Sequence, residues 1–214
     1  MALLADRSAM PIYVDNGAKA MAQAEMWFGA GRGGEDLVVL LIGTGVGAGI
    51  ITQGNLYRGT TNSAGEWGHT VVEINGRSCR CGSRGCLEAY IGASHIIERL
   101  RDVEPNSHLL QQDAQILAIP VIIEAAHSGD TTAVRIVDEN IHYLGVGIAS
   151  LLNLFNPRVI VIGGWVGSQL GVHFLTQIQR ITGRYALRQP FSVATITLLQ
   201  LGKDAIAVGR LHSC

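Results

Sequence analysis

A histidine and three cysteines are the residues of this chain whose types and spacing most strongly predict chemistry. Cys79, Cys81 and Cys86 lie in one loop rich in glycine, arginine and serine, and His69 precedes that loop. Three thiolates and one imidazole can surround a cation tetrahedrally, and zinc prefers this set of sulfur and nitrogen donors. The alternatives are reduced core thiols or a disulfide. However, Cys79 and Cys81 are too close for an easy bridge, and core cysteines rarely cluster in such a loop.

A zinc site of this composition would be structural. One histidine and three cysteines fill a tetrahedral shell and leave no open position for a substrate or an activated water. Because free thiols persist in a reducing compartment, the cluster also predicts a cytoplasmic protein. Cys214, far from the cluster in sequence, is predicted to be a loose thiol with no role.

Two glutamates lie beside the predicted metal ligands in sequence. Glu66 belongs to Gly65-Glu66-Trp67-Gly68-His69, and Glu88 follows shortly after Cys86. A metal that held His69 and Cys86 in place would also hold these carboxylates in place. Rigid carboxylates suit the vicinal hydroxyls of a sugar, because each can accept two hydrogen bonds from hydroxyl groups. The alternative is a pair of solvated surface glutamates.

Three further segments are weaker candidates for a ligand site. The glycine-rich segment 43–49 between two predicted strands could face an anion through bare amides, although a simple turn is an equal alternative. It lacks a following Gly-Lys-Ser/Thr and leads into a strand, which excludes a Walker loop and a dinucleotide fingerprint. Gly163-Gly164, after an apolar strand, would admit either a flat ligand or a following helix. Asp15-Asn16 is a polar pair at a strand end, with helix capping as the alternative.

The composition limits the class of protein. Of 214 residues, 48% are hydrophobic and 15% are charged, which predicts a substantial core and argues against disorder. The net charge of −1 gives no sign of nucleic-acid binding by this segment. No apolar run reaches the ~20 residues of a membrane span, and residues 1–10 lack the apolar core of a signal peptide.

The elements that position these residues are predicted from hydrophobic periodicity. Strands are predicted at 13–16, 36–42, 50–52, 69–74, 159–162 and 193–199. Helices are predicted at 18–28, 87–101, 120–127, 131–155, 166–182 and about 204–211, with a polar loop at 103–115 and Asp130 as an N-cap. Strands that alternate with helices in this order predict an α/β lobe with a mixed central sheet.

Taken together, these segments resemble the ROK family, the repressors, open reading frames and kinases of bacterial sugar metabolism, over nearly the whole chain. The motifs that carry the resemblance are Gly43-Thr44-Gly45-Val46-Gly47-Ala48-Gly49, Gly65-Glu66-Trp67-Gly68-His69, Cys79-Arg80-Cys81-Gly82-Ser83-Arg84-Gly85-Cys86-Leu87-Glu88 and Asn156-Pro157-Arg158-Val159-Ile160-Val161-Ile162-Gly163-Gly164. The second and third, at their mutual spacing, are highly specific.

The resemblance implies an actin-like (ribonuclease H-like) lobe of a two-lobed sugar kinase fold, with a mixed sheet, flanking helices and a zinc loop at 69–86. Residues 1–34 would be a remnant of the N-terminal lobe with an interlobe helix, and residues 35–214 would be the C-terminal lobe.

The resemblance also implies a role for particular residues. Structural zinc (Zn²⁺) would be bound by His69, Cys79, Cys81 and Cys86. Sugar hydroxyls would be bound by Asn16, Glu66, His69 and Glu88, so that His69 would serve both zinc and sugar. In members that bind ATP with Mg²⁺, the phosphates would lie near Gly43, Thr44 and Gly45, and the adenosine near Gly163 and Gly164.

Two departures from the family pattern favour a regulator over a kinase. Family kinases carry the aspartate that acts as general base directly after the asparagine, and here that position is Gly17. Loss of a positioned base costs about 10²–10⁴ in rate, and Asp15 would point to the opposite face of a strand. The sequence also lacks the N-terminal Asp-x-Gly-Gly-Thr motif of the kinases and the winged helix-turn-helix of the regulators. We therefore expect a fragment, or a gene read from an internal start.

Three hypotheses about function follow. The first is a catalytically inactive, sugar-sensing domain of a transcriptional regulator, which would contact DNA only through a region absent from this chain. It would form a homodimer or a higher homo-oligomer and have no membrane partner. The second is an ATP-dependent sugar kinase similar to a glucokinase or fructokinase. The third is a purely structural zinc lobe that only mediates dimerisation.

Overall fold

The structure is a computed structural model that describes residues 15–112, 114–202 and 205–211. Five strands of the described residues form one mixed sheet in the order β3-β2-β1-β4-β5. The strands are β1 (Leu37–Ile42), β2 (Val46–Thr52), β3 (Asn55–Leu56), β4 (Val159–Gly163) and β5 (Thr195–Leu198). β1 pairs antiparallel with β2 and parallel with β4, so the sheet is mixed as the sequence predicts.

The α-helices of the described residues flank this sheet. They are α1 (Gly17–Phe28), α2 (Glu88–Ile91), α3 (Ala93–Val103), α4 (Gln115–His127), α5 (Thr131–Phe155), α6 (Gly164–Tyr185), α7 (Arg188–Val193) and α8 (Ala205–Leu211). α1 packs on β1, β2 and α8, whereas α5 and α6 pack against each other and α6 contacts β1. None of the helices in the described residues is long and apolar enough to cross a membrane.

The central strand β1 is buried on both faces, which explains its unbroken run of apolar residues. Successive side chains of a strand point to opposite faces. Val38, Leu40 and Ile42 therefore join the larger core, which also contains much of α5 and α6. Leu37 and Val39 join a smaller core with residues of α1 and α8. The two cores hold the sheet between the helix layers, and the carboxyl end of β1 leads into the glycine turn.

Several predicted elements are confirmed, with shifted bounds. The long helix 131–155 has the predicted ends, and the Asp130 side chain caps it by accepting from the Ala133 N–H at 2.8 Å. The structure extends the predicted helix 120–127 back to Gln115 and the helix 166–182 to Gly164–Tyr185. Strand β2 begins at Val46, so the glycine-rich turn is confined to residues 43–45. The helix Arg188–Val193 was not predicted.

The predicted strand 69–74 is wrong. Trp67–His69 form a 3₁₀ helix, and Val71 makes only an isolated bridge with Cys86. The segment pairs with the cysteine loop instead of the sheet, since the Val72 N–H donates to the Gly85 carbonyl at 2.8 Å. Val71 and Ile74 are exposed, the latter at 86% of its surface, whereas Val72 is partly buried against the larger core.

The predicted helix 87–101 is interrupted at Gly92, which is extended with φ −72° and ψ 149°. The break coincides with a tertiary contact, because the N–H of Ala93 donates to the Gly43 carbonyl at 3.0 Å. Local periodicity cannot reveal such a contact, which joins the start of α3 to the glycine turn.

The predicted strand 13–16 is described only in part. Residues 13 and 14 lie outside the described residues, and Asp15 and Asn16 are not in a strand. Cys214 and residues 1–10 also lie outside the described residues.

Candidate functional site

A cavity of about 410 Å³ lies where the start of α1 meets the turn between β1 and β2. It brings together three of the four residues predicted to bind sugar: Asn16, Glu66 and His69. Gly17, which the resemblance predicts to stand at the position of the base, also lines the cavity. The remaining lining residues are Ala18, Leu41, Gly43, Thr44, Gly45, Val46, Gly47, Arg80 and Trp165.

His69 connects this cavity to the cysteine cluster. Its Nδ1 lies 3.6 Å from the Cys79 sulfur, and its Nε2 lies 3.9 Å from the Glu66 carboxylate. The two ring nitrogens therefore face different groups. If Nδ1 binds a metal, Nε2 carries the proton and can donate a hydrogen bond into the cavity.

The four predicted metal ligands converge. The ligand atoms of His69, Cys79, Cys81 and Cys86 all lie within 4.8 Å of one another, and the Cys81 and Cys86 sulfurs are 3.7 Å apart. A tetrahedral zinc with ligands at about 2.0–2.3 Å holds them about 3.3–3.8 Å apart. The separation of the Cys81 and Cys86 sulfurs fits this range, and the 4.8 Å limit for the whole cluster is wider than the ion requires.

Two of the cysteines have shifted pKa values, in opposite directions. Burial raises the pKa of the Cys86 thiol to about 12, and the hydrogen bonds and charges of the neighbouring cysteines add to the increase. The pKa of Cys81, which is exposed, is lowered chiefly by a backbone hydrogen bond with Ser83. A buried thiol of this kind becomes a thiolate when a cation offsets its charge, and a zinc ion supplies that charge.

Glu88 is placed differently from the expectation. It is buried, with 1% of its side chain exposed, and its Oε2 accepts from the Val46 N–H at 2.8 Å. The Arg80 guanidinium approaches it with Nε 2.7 Å from Oε1 and Nη2 3.2 Å from Oε2. The contact to Oε1 lacks the alignment of a hydrogen bond, so among the described residues this buried oxygen has no hydrogen-bond donor. Glu88 is thus not a solvated surface residue, whereas the Glu66 side chain is 52% exposed.

Arg80 is the site residue that sequence reasoning missed. It stands between two predicted metal ligands, Cys79 and Cys81, and that position was the available signal. Its guanidinium lies so close to Gly45 that a Cβ there would be 2.8 Å from Nη2. Arg80 therefore joins the cysteine loop to both the glycine turn and Glu88.

Asn16 performs the capping role that was the alternative to ligand binding. Its Oδ1 accepts from the Ala18 N–H at 2.8 Å and so caps α1. The amide nitrogen carries two further donors, and Asn16 is exposed at the cavity. Capping and ligand contact are therefore compatible in this residue.

An ion pair makes Asp15 unsuitable as a general base. The Arg58 Nη2 lies 2.8 Å from its carboxylate, which also accepts from the Asn16 N–H at 2.8 Å. Burial raises the pKa of Asp15, but the hydrogen bonds from Arg58 and Asn16 outweigh it and the net pKa is lowered. A carboxylate with a lowered pKa and an arginine partner is a poor proton acceptor.

Four of the five residues predicted to contact a nucleotide line one of two cavities, and Gly163 lines neither. The turn 43–45 lines the first, but Gly43 N–H already donates to the Gly45 carbonyl at 3.0 Å. Gly164 lines a second cavity of about 430 Å³. A Cβ at Gly164 would lie 2.4 Å from the Ile42 carbonyl oxygen, so the start of α6 approaches β1 closely. This close helix approach is the structural alternative that the sequence left open.

Comparison with known proteins identifies relatives of two functional kinds. The model of the ROK family matches residues 1–212. A glucokinase of Halalkalibacterium halodurans is 37% identical over 212 residues, which cover 96% of this chain and 64% of the glucokinase. A xylose repressor of Bacillus subtilis is 34% identical over 153 residues, which cover 72% of this chain and 37% of the repressor.

The solved structures that resemble this chain also include a regulator and a kinase. A ROK family transcriptional regulator, a homolog of the E. coli MLC protein, matches with a TM-score of 0.83 and 28% identity over 96% of this chain and 52% of that one. A ROK hexokinase from Thermus thermophilus matches with a TM-score of 0.82 and 28% identity over 97% of this chain and 68% of that one. The chain spans about half to two thirds of the length of the curated glucokinases that it matches.

Proposed function

The chain belongs to the ROK family, and we propose that it is the sugar-sensing lobe of a transcriptional regulator without kinase activity. Its fold is the actin-like fold of the ROK sugar kinases, with a mixed sheet and flanking helices. The observation that carries the proposal is one cavity that keeps polar groups for a sugar, from Asn16, Glu66 and His69, beside Gly17 at the position of the base.

Each polar group has a distinct part in binding a sugar. The Glu66 carboxylate accepts hydrogen bonds from hydroxyl groups, and the Asn16 amide donates them. His69 Nε2 donates a further hydrogen bond when Nδ1 faces the metal. Glu88 does not line the cavity and acts on it indirectly. Its carboxylate accepts a hydrogen bond from the Val46 N–H and pairs with the Arg80 guanidinium, and both of these residues line the cavity. The residues complement a neutral polyol, since the positive charge of Arg80 is matched by Glu88.

We propose that zinc is a structural component of this lobe. His69, Cys79, Cys81 and Cys86 would hold it, and their spacing fits a tetrahedral ion. When bound, zinc supplies the charge that keeps the thiolates ionised and the cross-link that holds the loop. The loop in turn places His69 and Arg80 at the cavity.

The absence of a base distinguishes a sensor from a kinase. A positioned general base contributes about 10²–10⁴ to the rate of a proton transfer. Gly17 offers no side chain, and Asp15 is held by Arg58. Sugar binding would instead shift the arrangement of two lobes or of dimer partners and so act on DNA-binding helices outside this chain.

The proposal predicts direct sugar binding that depends on Glu66. Calorimetric titration of the full-length protein with hexoses and N-acetylated amino sugars should detect binding, and Glu66→Gln should weaken it by about tenfold or more because one charge-assisted hydrogen bond is lost. Glu35→Gln, at an exposed site outside the cavity, is the matched control. A full-length protein that binds none of these sugars contradicts the proposal. Binding unchanged by Glu66→Gln would support the purely structural lobe.

A second candidate function, an ATP-dependent sugar kinase, is favoured by one observation. The glucokinase relative is 37% identical and covers 96% of this chain. A coupled assay of ADP release on the full-length protein separates the two functions. Sugar binding without ADP release supports the sensor, and turnover of a hexose supports the kinase.

A further inference from the structure

The two cavities of this lobe share a wall. The first contains the candidate sugar residues, and the second lies beside the start of α6, at Gly164. Only Leu41 and Trp165 line both cavities among the described residues. Leu41 belongs to the central strand β1, where it is paired with Gly47 on one side and Gly163 on the other. The backbone of Leu41 is therefore fixed in the sheet, and Trp165 is the other residue of the shared wall.

Trp165 is packed against the glycine turn. A Cβ built on Gly43 would lie 2.8 Å from the indole Nε1 and 3.0 Å from Cδ1, so the ring touches the turn backbone directly. The residue is half-buried, and Nε1 has no acceptor within the part of the chain that the structure describes. The indole edge thus lies against the turn 43–45, at the wall that the two cavities share.

We propose that Trp165 is a specificity-determining residue that separates the two cavities. It limits the first cavity to a compact ligand of monosaccharide size. It also stops the phosphates of an adenine nucleotide in the second cavity from reaching the turn 43–45 and Arg80. This inference deepens the proposed function and rests on it for the identity of the ligand in the first cavity.

The physical argument is steric. Each cavity, at about 410 and 430 Å³, falls in the range of small-ligand sites. A ligand that extended from Gly164 to the turn would have to pass the shared wall of Leu41 and Trp165. Trp165→Ala removes the indole from this wall, and Trp165 is not one of the strand residues that pair with Leu41. The joined cleft then presents to a phosphate the turn amides other than that of Gly43, and the Arg80 guanidinium, which pairs with Glu88 through Nε and Nη2 and has a further nitrogen.

The test compares adenosine with a Mg²⁺-bound, non-hydrolysable ATP analogue by calorimetric titration of the 214-residue chain. The wild-type chain should bind the analogue no more tightly than it binds adenosine. In Trp165→Ala the analogue should bind at least about tenfold more tightly than adenosine, because charge-assisted hydrogen bonds to phosphate become available. Trp165→Phe keeps an aromatic wall and should behave as the wild type. Trp27→Ala removes a tryptophan from α1 outside both cavities and is the matched control.

Two results would overturn the inference. One is an analogue that already binds the wild type about tenfold more tightly than adenosine. The other is a Trp165→Ala protein that melts at the wild-type temperature and yet gains no affinity for the analogue. Parallel titrations with glucose and N-acetylglucosamine test the proposed function separately. If no sugar binds but Trp165→Ala gains affinity for the analogue, the sugar-sensing function is contradicted and the role of Trp165 is supported.

Discussion

Gly17 is the residue at which the question of sensor or kinase can be tested most directly. It is the first residue of α1, it lines the cavity proposed to bind sugar, and its φ is not in the left-handed region. A Cβ at this position would have its nearest contacts at 3.6 Å, to Leu41 and Ile206, which is ordinary van der Waals distance. The backbone and the space therefore permit a side chain. An acidic side chain at a helix N-terminus is also stabilising, by about 0.3–1 kcal/mol.

Gly17→Asp should therefore fold and leave stability unchanged or slightly raised. If only the base is missing from the full-length protein, this substitution should raise sugar-dependent ADP release by about 10²-fold or more. The control is Gly17→Asn, which is similar in size but cannot accept the proton. An aspartate variant that is as inactive as the asparagine variant shows that more than the base is missing, which the sensor proposal expects. An equal gain in ADP release from Gly17→Asp and Gly17→Asn would contradict a role of the introduced carboxylate as general base.

The cysteine loop is the element that joins the candidate metal cluster to the cavity proposed to bind sugar. It contributes Cys79, Cys81 and Cys86 to the cluster and Arg80 to the cavity. Turn hydrogen bonds hold it, such as that from the Cys79 N–H to the Ser83 carbonyl at 2.9 Å, but its strand pairing is limited to isolated bridges such as Ser78 with Arg84. A loop with so little secondary structure needs another source of order, and a bound ion provides one.

Chelation or Cys81→Ala should lower the melting temperature of the lobe. For a domain of this size each kcal/mol of lost stability lowers the melting temperature by about 2–4 °C, so a loss of several degrees is expected. Ser83→Ala, in the same loop, should have little effect. Elemental analysis of the purified chain should find one zinc per chain. A protein without zinc, or a melting curve that a strong chelator leaves unchanged, would contradict the structural metal.

At the scale of the whole molecule, Glu25 links the first helix to the end of the sheet. This carboxylate is fully buried and accepts hydrogen bonds from backbone N–H groups far apart in sequence. The donors are Ala30 at 2.8 Å, Gln200 at 3.1 Å and Leu201 at 2.9 Å. The segment that it holds follows β5 and contains Leu199 and Gly202, which line the second cavity. Glu25 therefore positions a cavity wall as well as closing the fold.

Glu25→Ala should destabilise the chain by at least about 2 kcal/mol, because three backbone donors lose a buried acceptor. Unfolding by urea, followed by circular dichroism, measures this loss as a lower midpoint. Glu25→Gln retains one acceptor oxygen and should lose less free energy of unfolding than Glu25→Ala. Glu35→Ala replaces an exposed glutamate and is the control. Equal midpoints for Glu25→Ala and Glu35→Ala would show that the buried carboxylate contributes nothing.

The sequence by itself determined the parts of this protein that depend on near neighbours. The apolar run of β1 and the capped, unbroken helix α5 follow from local periodicity and from Asp130. The cysteines of the candidate metal cluster lie close together in the chain, so their convergence required only a tight loop. The family could be recognised because its motifs are contiguous.

Only the tertiary structure decided the rest. It placed Asn16 beside Glu66 and His69, paired Arg80 with the buried Glu88, and set Trp165 between two cavities. These contacts join segments that are distant in sequence, and side-chain periodicity carries no information about which surfaces will meet. The segment 69–74 shows the same limit, since its apolar residues match a strand while its backbone pairs with the cysteine loop. A pattern reports which face of an element is apolar, whereas a site depends on how separate elements pack.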